Sequence, residues 1–179
     1  SQIRPGLGCA LHEAMQQVKG SHVVNMAADL DTDPLVIKEM IRMAKEHPGA
    51  VILASRWVEG GGFVGYGSIN KFLNLVFNRA LQLLFFTKVK DLTYGYRFAP
   101  VDKTLSVKWE STGFSIGLET NLRMLRLGYE LIETPAVWRV REQGDSHNSF
   151  LTKLKYMRTV FNIRFSSRNA NKSTDARED

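Results

Sequence analysis

The sequence predicts an α/β fold in which a mostly parallel sheet is flanked by helices. Three observations carry this. Two short apolar runs, His22 to Ala27 and Ala50 to Ala54, read as buried strands. The stretch between them has helical period and is joined to each run by only a few residues, the pattern of a strand–helix–strand unit. The composition, 44% hydrophobic and 23% charged over 179 residues, is that of a soluble globular chain long enough for one sizeable core.

Taken in order, Ala10, Leu11, Ala14, Met15 and Val18 recur at helical spacing over Cys9 to Lys19, and Gly20 supplies a stop. The strand from His22 runs directly into Asp29-Leu30-Asp31-Thr32-Asp33-Pro34. There Asp33 suits a helix N-cap and Pro34 the first helical position. Val36, Ile37, Met40, Ile41 and Ala44 form the inward stripe of the helix that follows, which Pro48-Gly49 ends. The glycines from Gly60 to Gly67 predict a flexible loop.

A helix then carries Leu73, Val76, Phe77, Ala80, Leu81 and Leu84 on one stripe, with Lys71, Asn74, Asn78 and Gln82 opposite. Phe72, Leu75, Leu83, Phe85 and Phe86 widen its apolar side beyond what a surface helix needs. A further helix over Leu118 to Leu127 stops at Gly128. The strand from Tyr129 to Trp138 is interrupted by Pro135, which predicts an edge position or a bulge. Residues 150–165 read as a basic amphipathic helix and 166–179 as a polar, disordered tail.

Several classes are excluded by composition. A single cysteine, Cys9, forbids an intramolecular disulfide. The opening Ser-Gln-Ile-Arg-Pro-Gly has no apolar signal-peptide core, and no run reaches the roughly 18 apolar residues of a spanning helix, so a cytoplasmic location is expected. The net charge of +6 favours an anionic partner: nucleic acid, an acidic membrane surface or a phosphorylated small molecule. Without a zinc, homeodomain or RRM pattern, nucleic acid is not expected.

Three constellations carry chemistry. Asp29 and Asp31 follow a strand at the edge where open α/β sheets bind ligands. Two carboxylates about 4 Å apart repel by roughly 4 kcal/mol at an effective dielectric near 20, so a hard cation such as Mg²⁺ or Mn²⁺ would suit them. Helix capping is the alternative, strongest for Asp33. In Asp91-Leu92-Thr93-Tyr94-Gly95-Tyr96-Arg97, Arg97 could clamp a phosphate and Asp91 could take a proton from a hydroxyl. A salt bridge across the turn is the plainer reading. Residues 139–147, with Arg139, Arg141, Ser146 and His147, hold the equipment of an anion site or a solvated loop. Arg56 ends the second strand, and Gly6 and Gly8 could admit a phosphate to backbone N–H groups.

In this order the segments resemble the family 2 glycosyltransferases of GT-A (Rossmann-like) fold, nearest the polyprenyl- or dolichol-phosphate mannosyl- and glucosyltransferases. The stretches concerned are 6–11, 25–34, 54–61, 91–97, Gly113-Phe114-Ser115 with Glu119, Glu133-Thr134-Pro135 and 141–146. The resemblance implies a nucleotide-sugar donor, Mg²⁺ or Mn²⁺ at Asp29 and Asp31, and inversion at the anomeric carbon. The acceptor would be a lipid phosphate or a saccharide hydroxyl.

It further implies donor or acceptor phosphates at Arg56, Arg97, Arg141 and Ser146, Asp91 as the catalytic carboxylate, and an acceptor-side or structural place for Glu119 and His147. Residues 1–149 would be a partial GT-A domain, lacking the family's N-terminal nucleotide-binding strand. Ala27 stands where the family pattern has an aspartate, and His147 where the lipid-phosphate branch has a lysine. Helices 72–86 and 150–165 would suit a peripheral contact at the cytoplasmic face of a membrane. The alternative is a truncated, non-catalytic domain acting as a membrane-surface or protein interaction module.

Overall fold

The computed structural model describes residues 3–140 and 150–173. Its helices are α1 Leu7–Met15, α2 Val36–Glu46, α3 Ser68–Phe85, α4 Val101–Ser106, α5 Ile116–Arg126 and α6 Phe150–Phe165. Its strands are β1 His22–Asn25, β2 Val51–Ser55, β3 Gly62–Val64, β4 Arg97–Pro100, β5 Leu131–Pro135 and β6 Val137–Arg139. The chain divides into a sheet unit, residues 24–98 and 130–140, and a helical unit, residues 3–23, 99–129 and 150–173.

Strand β2 is the centre of the sheet unit. All five of its residues are buried, as a continuous Val-Ile-Leu-Ala run covered on both faces requires. The order is β1-β4-β2-β5. β5 lies parallel to β2, from Val51 opposite Leu131 to Ser55 opposite Pro135, while β4 runs antiparallel, with Leu53 opposite Arg97. The expected mostly parallel sheet is therefore mixed. Met40 of α2 packs with Ala50, Ile52, Ala54, Tyr96 and Ala136 to form the core. Full burial of Met40 alone is worth roughly 1.5–3 kcal/mol. β1 is shorter and more open than the expected buried strand, because it is an edge strand; Val24 and Met26 remain exposed. At Pro135 the chain leaves the main sheet: β6 pairs in parallel with β3 in a separate two-stranded sheet, Phe63 opposite Trp138.

The helix α3 turns its polar side inward. Asn78 and Leu81 are its buried residues. Asn74 accepts from Trp57 Nε1 at 2.9 Å, Asn78 accepts from the Leu92 N–H at 2.9 Å, and Gln82 donates to the Val89 carbonyl at 2.8 Å. Ile69, Phe72, Leu73, Val76, Leu83 and Phe86 are left exposed.

In the helical unit, α5 is buried all round, polar residues included. Glu119 accepts from the N–H groups of Glu110 and Ser111, each at 2.7 Å, and pairs with Arg123 at 3.1 Å. Arg123 also bonds Glu110 and, at 3.1 Å, Asn171 Oδ1. The tail expected to be disordered from Ser166 is therefore fixed through residue 173. Asn171 is buried, Arg126 holds the Ser166 carbonyl at 3.0 Å, and Ser173 N–H bonds the Ser106 carbonyl at 2.7 Å. The buried Arg123 needs acceptors, and Asn171 in this segment supplies one. In α6, Val160 and Ile163 are buried while Phe161 and Phe165 are exposed.

Candidate functional site

The loop after β1 folds on itself. Asp29 Oδ1 accepts the Asp31 N–H at 3.3 Å, and Leu30 between them sits at φ +58°. A leucine in the left-handed region costs about 1–2 kcal/mol, and such strain is found where a site must hold a particular shape. Asp31 is then fixed from β6. Its Oδ2 accepts Trp138 Nε1–H at 2.7 Å, its Oδ1 accepts the Thr32 hydroxyl at 3.1 Å, and its carbonyl accepts Arg139 N–H at 2.7 Å. Asp33 Oδ1 accepts the Leu35 N–H at 2.8 Å and closes the turn before α2, but the helix starts at Val36 and its N-cap is Leu35, not Asp33.

An aromatic ladder leads away from Asp31. Trp138 meets Tyr66 edge-on at 5.1 Å, Tyr66 stacks on Phe63 at 5.0 Å, and Phe63 packs against Trp57 at 5.0 Å. Burial, reinforced by the charge of Asp31, pushes the Tyr94 hydroxyl well above its ordinary value. Sequence reasoning does not single out Phe63, Tyr66 or Trp138 for this site. The signal available for them is a set of aromatic residues inside and opposite a glycine-rich segment.

Arg56 and Asp91 are occupied with each other. Asp91 Oδ2 accepts from Arg56 Nε at 2.8 Å and from the Arg56 backbone N–H at 3.1 Å. Its Oδ1 accepts from Arg56 Nη2 at 2.9 Å and from the Thr93 hydroxyl at 3.0 Å. The guanidinium is sandwiched over Tyr94 and Phe63, 4.5 and 5.0 Å from their centroids. Burial works against the Arg56 charge, but Asp91 outweighs it and the pKa rises. Glu133 accepts the N–H groups of Lys90 and Asp91 at 2.8 and 2.9 Å, which fixes this turn.

With Asp91 fully buried and four hydrogen bonds on its two oxygens, its geometry is that of an anchor, not of an accessible base. Arg56 is likewise committed rather than open to a phosphate. Arg97 is buried in β4 opposite Leu53, and burial pushes its pKa down to about 10. Glu119 is structural, as its bonds to Glu110, Ser111 and Arg123 show. Arg141, Ser146 and His147 lie outside the described residues.

Gly6 and Gly8 serve packing, not a phosphate. Gly8 N–H donates to the Thr112 carbonyl at 2.9 Å, and a Cβ on Gly8 would lie 1.9 Å from the Ser111 carbonyl oxygen. The structure thus brings together Asp29 and Asp31 in one turn, and pairs Arg56, just after β2, with Asp91, 35 positions further on. Among the described residues no three His, Cys, Asp or Glu side chains gather as a metal cage. Two carboxylates still fit Mg²⁺ or Mn²⁺, since such ions keep several waters and complete their shell with substrate phosphates.

The family model for glycosyl transferase family 2 matches residues 1–104, more than half of the chain. The chain belongs to this family. An undecaprenyl-phosphate mannosyltransferase of Micrococcus luteus is 25% identical over 130 residues, covering 71% of this chain and 53% of that protein. Among solved structures, glucosyl-3-phosphoglycerate synthase of Mycobacterium tuberculosis with Mn²⁺, UDP-glucose and phosphoglyceric acid superposes with a TM-score of 0.66 at 15% identity. That match covers 92% of this chain and 57% of the synthase. The same enzyme with Mg²⁺ and UDP matches with a TM-score of 0.61 at 18% identity, over 97% and 58%. This family 2 chain therefore spans a little over half the length of the relatives it matches. The likeness to the synthase establishes the expected fold, a GT-A sheet flanked by helices.

Proposed function

We propose that this chain is part of the catalytic domain of a metal-dependent, inverting glycosyltransferase that takes a sugar from a nucleotide-sugar donor. The observation that carries the reading is the strained Asp29-Leu30-Asp31 turn, locked from the far side by Trp138. Asp29 and Asp31 are the residues that would hold Mg²⁺ or Mn²⁺. When bound, the cation neutralises charge developing on the leaving nucleoside diphosphate. The Trp138 N–H and the Thr32 hydroxyl hold the Asp31 carboxylate in one orientation, which lowers the reorganisation needed at reaction. The Arg56–Asp91 pair, roofed by Tyr94 and Phe63, stiffens the wall beside it.

The acceptor we favour is a polyprenyl phosphate. Its oxygen is already anionic and needs no strong base, which agrees with an Asp91 carboxylate fully engaged by its hydrogen bonds. The mannosyltransferase relative points the same way. A saccharide hydroxyl would need a base supplied from elsewhere. Ala27, in place of an acidic residue, favours the second reading, a non-catalytic glycosyltransferase-like module. Calorimetric titration of the chain with UDP- and GDP-sugars, with and without Mn²⁺, separates the two. The transferase reading expects Mn²⁺-dependent binding that weakens at least tenfold in both Asp29→Ala and Asp31→Ala. Equal affinity with and without metal, or in parent and both variants, would refute it. Transfer of labelled sugar to a short-chain polyprenyl phosphate, compared with a free saccharide, tests the acceptor.

A further inference from the structure

The helix α3 is 18 residues long, about 27 Å at 1.5 Å per residue. Its exposed apolar side chains fall at positions 69, 72, 73, 76 and 83, one stripe at 3.6-residue period, continued by Phe86 at the helix end. Ile69, Leu83 and Phe86 are each more than three-quarters exposed. This orientation is not interchangeable with its opposite. Turning the stripe inward would break the bonds of Asn74 to Trp57, of Asn78 to Thr93 and the Leu92 N–H, and of Gln82 to Val89. The packing of the sheet unit therefore fixes the apolar side outward.

Charge identifies the occupant. From Gly60 to Lys90 the chain has no Asp or Glu, while it carries Lys71, Arg79, Lys88 and Lys90. Arg79, Lys88 and Lys90 are exposed. A second copy of the chain would bring an identical segment, whose charged side chains are all basic, to this one. In an antiparallel pairing of the two stripes, Arg79 would sit near its own counterpart close to the two-fold axis. An apolar stripe on a segment whose only charged side chains are basic suits an anionic lipid surface instead, with the stripe in the headgroup–acyl boundary and the bases on lipid phosphates.

We propose that α3 is an in-plane anchor that docks the protein on anionic membranes. The proposal stands on the surface of α3 alone and does not require the glycosyltransferase reading. It is tested by flotation of the full chain with neutral phosphatidylcholine vesicles and with vesicles holding a third phosphatidylglycerol. The chain should float with the anionic vesicles and not with the neutral ones. Partitioning should fall at least tenfold in Phe72→Gln/Leu83→Gln, and at least tenfold in Arg79→Gln/Lys88→Gln/Lys90→Gln.

The substitution Phe72→Trp leaves the stripe apolar and places an indole on it. Adding anionic vesicles to that variant should shift its emission to the blue by more than it shifts the parent's. No flotation of the parent with anionic vesicles would overturn the proposal. So would equal partitioning of the parent and the Phe72→Gln/Leu83→Gln variant, or an emission shift in Phe72→Trp no larger than the parent's. Light scattering that shows a stable dimer abolished by Phe72→Gln/Leu83→Gln would also overturn it, in favour of a second copy.

Discussion

Replacing Asp91 by alanine separates an anchor from a base. In the structure the Asp91 carboxylate takes four hydrogen bonds and faces a guanidinium whose side chain is only 9% exposed. Asp91→Ala leaves Arg56 charged, buried and without its counter-ion, a change that typically costs about 3–5 kcal/mol. A domain of this size has about 5–15 kcal/mol in all, so the loss is a large share of it. With a urea slope of about 2 kcal/mol per molar, the unfolding midpoint should fall by roughly 2 M.

The assay is equilibrium urea unfolding at neutral pH, followed by tryptophan fluorescence. Replacing both partners, Arg56→Met with Asp91→Leu, should recover part of the loss, because no charge is then stranded. If Asp91→Ala unfolds within about 0.5 kcal/mol of the parent, the size of an ordinary surface change, the anchor argument fails. If it keeps its stability and loses sugar transfer, Asp91 is a base after all.

Trp138→Phe keeps an aromatic ring and removes the N–H that Asp31 accepts at 2.7 Å. A hydrogen bond to a charged group is worth about 1.5–3 kcal/mol, so Mn²⁺-dependent donor binding should weaken by about tenfold or more, measured by calorimetry, while the fold is kept. Gly8→Ala must displace the Ser111 carbonyl, 1.9 Å from the added Cβ; overpacking of this kind costs about 1–3 kcal/mol, read as a lower thermal midpoint. Glu110 is held below the usual carboxylate range, first by Lys108 and, against partial burial, by Arg123. Its contribution to stability is present above its unfolded pKa and lost as pH falls through the folded one, so Glu110→Gln should flatten the decline in stability below about pH 4.5. An unchanged slope in that variant would show that other carboxylates govern acid unfolding.

What the chain discloses by itself is local. The periods of α2 and α5, the uniformly apolar β2 and the break at Pro135 each have a cause within a few residues. So does the turn that Asp33 closes ahead of α2, which depends on a bond two residues away. What stays hidden depends on distant partners. Period shows which residues of α3 share a side, but the side that faces in is decided by Trp57, Thr93 and the Leu92 N–H. Arg56 and Asp91 lie 35 positions apart, and each looks like a ligand-binding charge until the fold brings them together. The C-terminal segment looks polar and unstructured because its reason for order, the buried Arg123, is on another helix.

The burial of these charges changes the chemistry that the domain can perform. Asp91, Arg56 and Arg97 are three of the charges expected to meet substrate; here Arg56 and Asp91 are paired with each other and Arg97 is buried. The proposed donor site then rests on the acidic turn at Asp29 and Asp31. Two carboxylates in one turn make a poor site for a bare diphosphate, since like charges repel. They make a good one for a diphosphate that arrives with a divalent cation. Metal should therefore be required for donor binding itself, and not only for turnover. A site of this kind also gains most from an acceptor that brings its own negative oxygen, because general-base assistance worth about 10²–10⁴ in rate is then unnecessary. The burial of Asp91 and the preference for a phosphate acceptor are in this sense one argument, and transfer to a saccharide hydroxyl at comparable rate would break both.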